Sequence, residues 1–230
     1  MSFGIAGWPL RSLSAEGFGD VVRSMPSKVA EIPKDLLDTV SVKALFVALA
    51  ACRKTLSMAG TTDFTTLSGF SWPDYQAYLD MQVASARFLR CGLWRVFLQA
   101  STMAELKASL RKVAQYASRH ADLEIVVETH GGFESTREGF DYCIAQSPLR
   151  FVVDLANISD TALREAILRG TFKRRIAYFH LRNFGAYTEA KPLVALEARA
   201  IQAYPRHTFL WEPKQVEGAE AVRLFDQNNR

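Results

Sequence analysis

This sequence has little cysteine, no long apolar run and no dense block of charge, and each lack removes a class of protein. The three cysteines, Cys52, Cys91 and Cys143, are odd in number, widely spaced and without a C-x-x-C pair. That pattern excludes a disulfide-stapled or zinc-ribbon scaffold and reads as reduced thiols in a cytoplasmic protein. The longest apolar run, Ala44 to Cys52, falls far below the roughly 20 residues of a bilayer span, so no membrane partner is expected. The opening MSFGIAGWPLRS lacks the basic-then-apolar layout of a signal peptide. The formal charge of +4 is not gathered into a basic stripe, so nucleic acid is not an expected partner. No Pro/Gly/Ser linker or low-complexity block interrupts the chain, so residues 1–230 are read as one domain.

What is present is a rhythm of short apolar strands and amphipathic helices. In the C-terminal half, strands are expected at Leu123–Glu128, Arg150–Asp154, Ile176–His180 and Thr208–Glu212. A capping-box spacing at Ser135-Thr136-Arg137-Glu138 opens a helix to about Gln146. Asp160–Arg169 is helical up to Gly170, and Pro192–Tyr204 and Gly218–Asp226 complete the set. The N-terminal half reads the same way. Strands are expected at Phe3–Ala6, Lys28–Ile32, Val42–Leu49 and Trp94–Gln99, and helices at Ala15–Arg23, from Lys34, from Trp72 to about Arg90, and from Thr102 to about Arg119. A polar stretch from Gly60 to Gly69 is expected as a loop that can serve as a lid. Eight alternating units in one chain of this size imply an α/β fold, a single-domain (β/α)8 TIM barrel. No G-x-G-x-x-G follows the first strand, which counts against a doubly wound open sheet.

In such a barrel the strand C-termini meet on one face. The last four strands end in Glu128, Asp154, His180 and Glu212, each the first polar residue after an apolar run. Three carboxylates crowded into a partly buried site repel one another unless a cation neutralises them. With one imidazole they suit a single divalent ion, Mn2+, Mg2+ or Co2+, with Zn2+ or Fe2+ also compatible.

At these residues the sequence resembles the xylose isomerase-like TIM barrel superfamily, in its sugar phosphate isomerase/epimerase branch. That branch includes enzymes similar to D-tagatose 3-epimerase and inosose dehydratase. The family's Glu-Asn-His-Gly-Gly pattern is matched by Glu128-Thr129-His130-Gly131-Gly132. Its Asp-x-x-Asn is Asp154-Leu155-Ala156-Asn157, its His-Leu-Lys-Asp is His180-Leu181-Arg182-Asn183, and its terminal Glu is Glu212. The match spans residues 123–212. The resemblance implies a metal set of Glu128, Asp154, His180 and Glu212, with Glu128 and Glu212 doubling as acid and base on opposite faces of a substrate carbon. The substrate implied is a small sugar, ketose or polyol, with or without a phosphate, activated through an enediolate. Return of the proton on the far face gives epimerisation, return to the neighbouring carbon gives isomerisation, and loss of hydroxide gives dehydration. Relatives are often dimers or tetramers, so a homo-oligomer is one expectation the resemblance carries.

The chain departs from the pattern at Asn157, where many members have His, and at Asn183, where many have Asp. Both changes keep hydrogen-bonding capacity and remove charge or basicity, so a non-catalytic ligand-binding barrel is the alternative. His130, Asn157, Arg182 and Trp8 are candidate substrate contacts: a hydroxyl for His130, a phosphate or carboxylate for the Arg182 fork, and the carbon face for Trp8. Lys214 is a further candidate for an anionic group. His120 and His207 precede strands and belong to the opposite, stability face. An apurinic-site endonuclease shares the barrel but needs three zinc ions and several histidines, and only two of the four histidines fall on the active rim.

Overall fold

The computed structural model describes residues 1–63 and 72–229. Eight strands form one parallel sheet: β1 (Ser2–Ile5), β2 (Val29–Pro33), β3 (Thr55–Asp63), β4 (Leu93–Phe97), β5 (Glu124–Glu128), β6 (Arg150–Asp154), β7 (Ile176–Leu181) and β8 (Thr208–Trp211). Their order is β1-β8-β7-β6-β5-β4-β3-β2, a nearly closed barrel. The helices are α1 (Ala15–Ser24), α2 (Lys34–Thr39), α3 (Val42–Leu49), α4 (Trp72–Phe88), α5 (Met103–Arg119), α6 (Arg137–Gln146), α7 (Thr161–Leu168), α8 (Val194–Ala203) and α9 (Gly218–Asn228). Among the described residues none is long and apolar enough to cross a membrane.

The barrel seam falls between β1 and β2, where a side chain stands in for a ladder. The backbone N–H of Gly7, just past β1, donates to Glu31 Oε2 on β2 at 3.0 Å. The main core lies between sheet and helices. A second, smaller cluster takes Val29, Leu93, Val126, Val152, Tyr178 and Leu210 from six different strands, with Ala6 beside them. Side chains two residues apart on a strand share a face. The next positions on that face are therefore Glu31, Arg95, Glu128, Asp154, His180 and Glu212, the last just beyond β8. The barrel interior thus changes in one step from an apolar layer to a layer of six ionisable groups.

Three expectations are corrected. Val42–Leu49 is helix α3, and the third strand is Thr55–Asp63. The run VKALFVAL is short and apolar enough to suit either state. Ser41 decides it by capping, its hydroxyl accepting from Ala44 N at 3.1 Å. Leu45 and Leu49 then bury one stripe while Ala44 and Val47 face out. The proposed loop from Gly60 begins inside β3, and its residues 64–69 lie outside the described residues. The capping box is also shifted by one residue. Ser135 ends a 3-10 turn, and Thr136 is the N-cap of α6, accepting from Gly139 N at 3.1 Å.

Candidate metal and acid–base site

Glu128, Asp154, His180 and Glu212 offer ligand atoms that all lie within 4.8 Å of one another, and all four residues are buried. The strands set this arrangement. Asp154 pairs with His180 across β6 and β7, and Glu212 N donates to Leu181 O at 2.8 Å, carrying the β7–β8 ladder one residue past the strand. Thr129, fully buried, stands where the resembling family has Asn. Its hydroxyl accepts from Asp154 N at 3.1 Å and so ties the ends of β5 and β6 together.

His180 is oriented from behind. Its Nε2 lies 3.0 Å from Glu31 Oε1. The same oxygen accepts from Tyr178 Oη at 2.6 Å and has Arg95 Nε at 3.3 Å. Burial works to raise the Glu31 pKa. Arg95, His180 and the hydrogen bonds from His180 and Tyr178 outweigh it and hold the carboxyl far below its ordinary value. Glu31 takes the hydrogen bond to Nε2 and leaves Nδ1 as the ring nitrogen turned to the cluster. Nδ1 is buried, has no hydrogen-bond partner among the described residues, and lies 3.5 Å from Glu128 Oε1 and 3.6 Å from Glu212 Oε2. A cation shared with the two carboxylates satisfies a ring nitrogen placed in this way. The carboxylate–histidine pair behind a buried, unpartnered nitrogen is the arrangement that fits a divalent metal.

The cluster also carries its own cations. Arg95 pairs with Glu128 and Glu31. Arg182 donates through Nη1 to Glu212 Oε2 at 3.0 Å and to the Glu212 carbonyl at 2.7 Å, and pairs through Nη2 with Asp154. Lys214 Nζ lies 3.1 Å from Glu212 Oε2. Four carboxylates (Glu31, Glu128, Asp154, Glu212) therefore meet three cationic side chains (Arg95, Arg182, Lys214). The two ligands respond differently. Burial pushes Asp154 up, only partly offset by Arg182. For Glu212 burial is outweighed by His180, Lys214, Arg95 and Arg182, which hold it low and ionised.

The candidate substrate contacts divide. Trp8, His130 and Lys214 line a cavity of about 200 Å³ at the barrel mouth, together with Arg95, Glu128 and Glu212. The Trp8 ring has Arg11 at 3.5 Å and Lys214 at 5.1 Å from its centre. His130 stacks on Phe97 with centroids 4.4 Å apart, has Nδ1 3.7 Å from Glu128 Oε1, and is kept neutral by burial and then by Arg95 and Lys214. Asn157 reaches the site through His130, at 3.4 Å. Arg182 is turned inward onto Asp154 and Glu212 instead of toward the cavity. His120 stacks on Tyr116 and His207 bonds the Lys173 carbonyl at 3.0 Å, both away from this rim.

The Asn183 departure has a local cause. Its Nδ2 donates to Glu197 Oε2 at 2.7 Å and to the Ala190 carbonyl at 3.1 Å, while Oδ1 accepts from Glu189 N and Ala190 N, both at 3.0 Å. Glu197 also accepts from Arg182 N at 2.6 Å, and its burial pushes it up to about 7. The carboxyl group that partners position 183 is Glu197. Between the unfolded value near 4.5 and about 7, the folded protein holds a proton the unfolded chain has lost, so stability falls as pH rises through that window. Asn183→Asp puts a second carboxylate against Glu197 and removes two donated bonds. It should cost about 1–3 kcal/mol at pH 8 and less at pH 5, read by urea denaturation at both values. An equal cost at both values would remove Glu197 as the cause.

Glu31, Arg95, Tyr178 and Glu197 were not singled out in the sequence. A signal existed for two of them: VAEIP and LWRVF each hold one charged residue inside an apolar strand, which marks an inward-facing partner.

No family model matches the sequence, and no curated protein sequence does. Solved structures do match. A structure of IolI protein with a bound zinc atom superposes with a TM-score of 0.75 at 9% identity, covering 100% of this chain and 96% of that one. The probable 3-DHS dehydratase AsbF of Bacillus anthracis gives 0.72 at 12%, covering 99% and 97%. D-psicose 3-epimerase, in the presence of D-fructose, gives 0.67 at 14%, covering 98% and 90%. The fold is that of the xylose isomerase-like TIM barrels. At these identities the likeness is one of fold, and the chemistry of this barrel has to be argued from its own residues.

Proposed function

We propose that this chain is a divalent-metal-dependent isomerase or epimerase of a small sugar, ketose or polyol, working through an enediolate with Glu128 and Glu212 as acid and base. The observation that carries the reading is the buried Nδ1 of His180, unpartnered and flanked by those two glutamates. Glu128, Asp154, His180 and Glu212 would hold the ion. When bound, a divalent ion supplies Lewis acidity toward a carbonyl and its neighbouring hydroxyl, making the C–H between them acidic.

The remaining steps belong to the protein. Arg95 pairs with Glu128 through Oε2 and leaves Oε1 turned toward His180 and His130. Glu212, held ionised, is poised to accept a proton. One glutamate removes the substrate proton and the other delivers one to the opposite face. His130 sits at the cavity edge to bond a substrate hydroxyl, and Trp8 to cover the carbon face. The small cavity suits a substrate of a few carbons over a polymer.

The structural likeness to AsbF supports a second outcome of the same first step, loss of hydroxide to give dehydration. One experiment separates them. The protein is incubated with Mn2+ or Co2+ and a panel of ketoses, inososes and keto-acids in D2O. Deuterium wash-in with a new epimer or isomer supports the leading reading, and wash-in with an unsaturated product supports dehydration. A protein that holds metal and exchanges no proton on any of them sinks both.

A further inference from the structure

We infer that Arg182 is a resident counter-cation of the ligand cluster and that a divalent ion binds in competition with it. The inference rests on the metal reading above and concerns what the chain does to that site before an ion arrives. Without a cation, Asp154 and Glu212 would repel each other in a buried place. Arg182 bridges them, one nitrogen on each carboxylate.

The atoms it holds are the ones an ion needs. Glu212 Oε2 lies 3.6 Å from His180 Nδ1, and the same oxygen accepts from Arg182 Nη1 at 3.0 Å. Both Asp154 oxygens are already engaged, Oδ1 accepting from Ala156 N at 2.9 Å and Oδ2 pairing with Arg182. An ion gathering all four ligands therefore competes for carboxylates that the guanidinium holds, and a dication beside a guanidinium is repelled by it. The arginine also has somewhere to stay. Its Nη1 also donates to the Glu212 carbonyl at 2.7 Å, an acceptor outside the carboxylate set. Glu197, which anchors Arg182 N at 2.6 Å, fixes the backbone about which the side chain turns. Arg182 is thus a positioning residue that keeps the empty cluster assembled and sets the ion concentration at which the site fills.

The test is a Mn2+ titration of the full chain, with free Mn2+ read by electron paramagnetic resonance. Wild type is compared with Arg182→Met, Arg182→Gln and Arg182→Lys, each checked for fold by circular dichroism. The two neutral variants should bind Mn2+ at least about tenfold more tightly than wild type, and Arg182→Lys should stay within about threefold of it. In chelator the neutral variants should melt several degrees below wild type, and Mn2+ should raise their Tm by more than it raises that of wild type. Folded Arg182→Met and Arg182→Gln that bind Mn2+ no more tightly than a Mn2+-binding wild type would overturn the inference and leave the metal reading standing. Should neither wild type nor any variant bind Mn2+, both fall together.

Discussion

Glu31→Ala should destabilise the protein by about 3–5 kcal/mol in chelator at pH 7, which is more than its modest size suggests. The carboxylate is fully buried, accepts from three donors, Gly7 N at 3.0 Å, Tyr178 Oη at 2.6 Å and His180 Nε2 at 3.0 Å, and is ion-paired with Arg95 Nε at 3.3 Å. Removing it leaves Arg95 with one carboxylate in place of two, takes the partner from Gly7 N and His180 Nε2, and leaves Tyr178 Oη with Ser57 Oγ alone. It also removes the bond that closes the β1–β2 seam. Glu31→Gln keeps the shape and one acceptor, so it should cost roughly 1–3 kcal/mol. Urea denaturation of both variants reads the difference. Indistinguishable midpoints for wild type and Glu31→Ala would mean that Glu31 is a bystander. A second readout is specific to its role behind His180. Glu31→Gln should weaken Mn2+ binding about 10–100-fold, as loss of the partner behind a histidine ligand does.

That Glu31 was harder to read in the sequence than Glu212 has a physical explanation. The ends of β5 to β8 were legible because each apolar run stops at a polar residue, and parallel barrels place such residues on one rim. Glu31 and Arg95 sit one step differently, inside strands whose neighbours on both sides are buried. In one dimension each is a lone charge in the wrong place. They make sense only as a pair brought together by closure of the sheet, which no local pattern encodes. The error at α3 is of another kind. Its eight residues are nearly all apolar, and the deciding signal, Ser41 at the N-cap, is a single side chain. The true β3 begins TLSMAG, with little of the β-branched character that marked the later strands.

The same distinction applies to charge. Arg182 in the sequence looks like an anion hook for substrate, and Asn183 looks like a lost aspartate. In three dimensions Arg182 serves Asp154 and Glu212, and Asn183 serves Glu197. Neither polar partner adjoins it in sequence. What distinguishes this barrel's site is therefore the cations and hydrogen-bond partners around its four candidate ligands.

On the proposed reading those four residues carry two jobs, and substitution should separate them. Asp154→Asn should weaken Mn2+ binding yet recover much of its proton exchange once Mn2+ is saturating, because Asp154 holds and does not carry a proton. Glu128→Gln and Glu212→Gln should fail to recover. Each removes a proton carrier, an effect of about 10²–10⁴-fold. The failure should also be one-sided. Glu128 and Glu212 flank His180 Nδ1 at 3.5 Å and 3.6 Å, and the proposed mechanism has each address its own side of a bound carbon. With Glu212 replaced, Glu128 still removes the proton that faces it and returns deuterium to the same face. Each glutamine variant should therefore wash deuterium into one epimer, leave the other unlabelled, and interconvert neither. Nuclear magnetic resonance of the two epimers in D2O, at saturating Mn2+, reads both outcomes in one tube. Epimerisation at the wild-type rate by either variant would rule out the two-glutamate assignment. Loss of exchange in both epimers by both variants would leave the glutamates as ligands alone, and the proton carrier would then have to be sought at His130, the remaining titratable group beside Glu128 at the cavity edge.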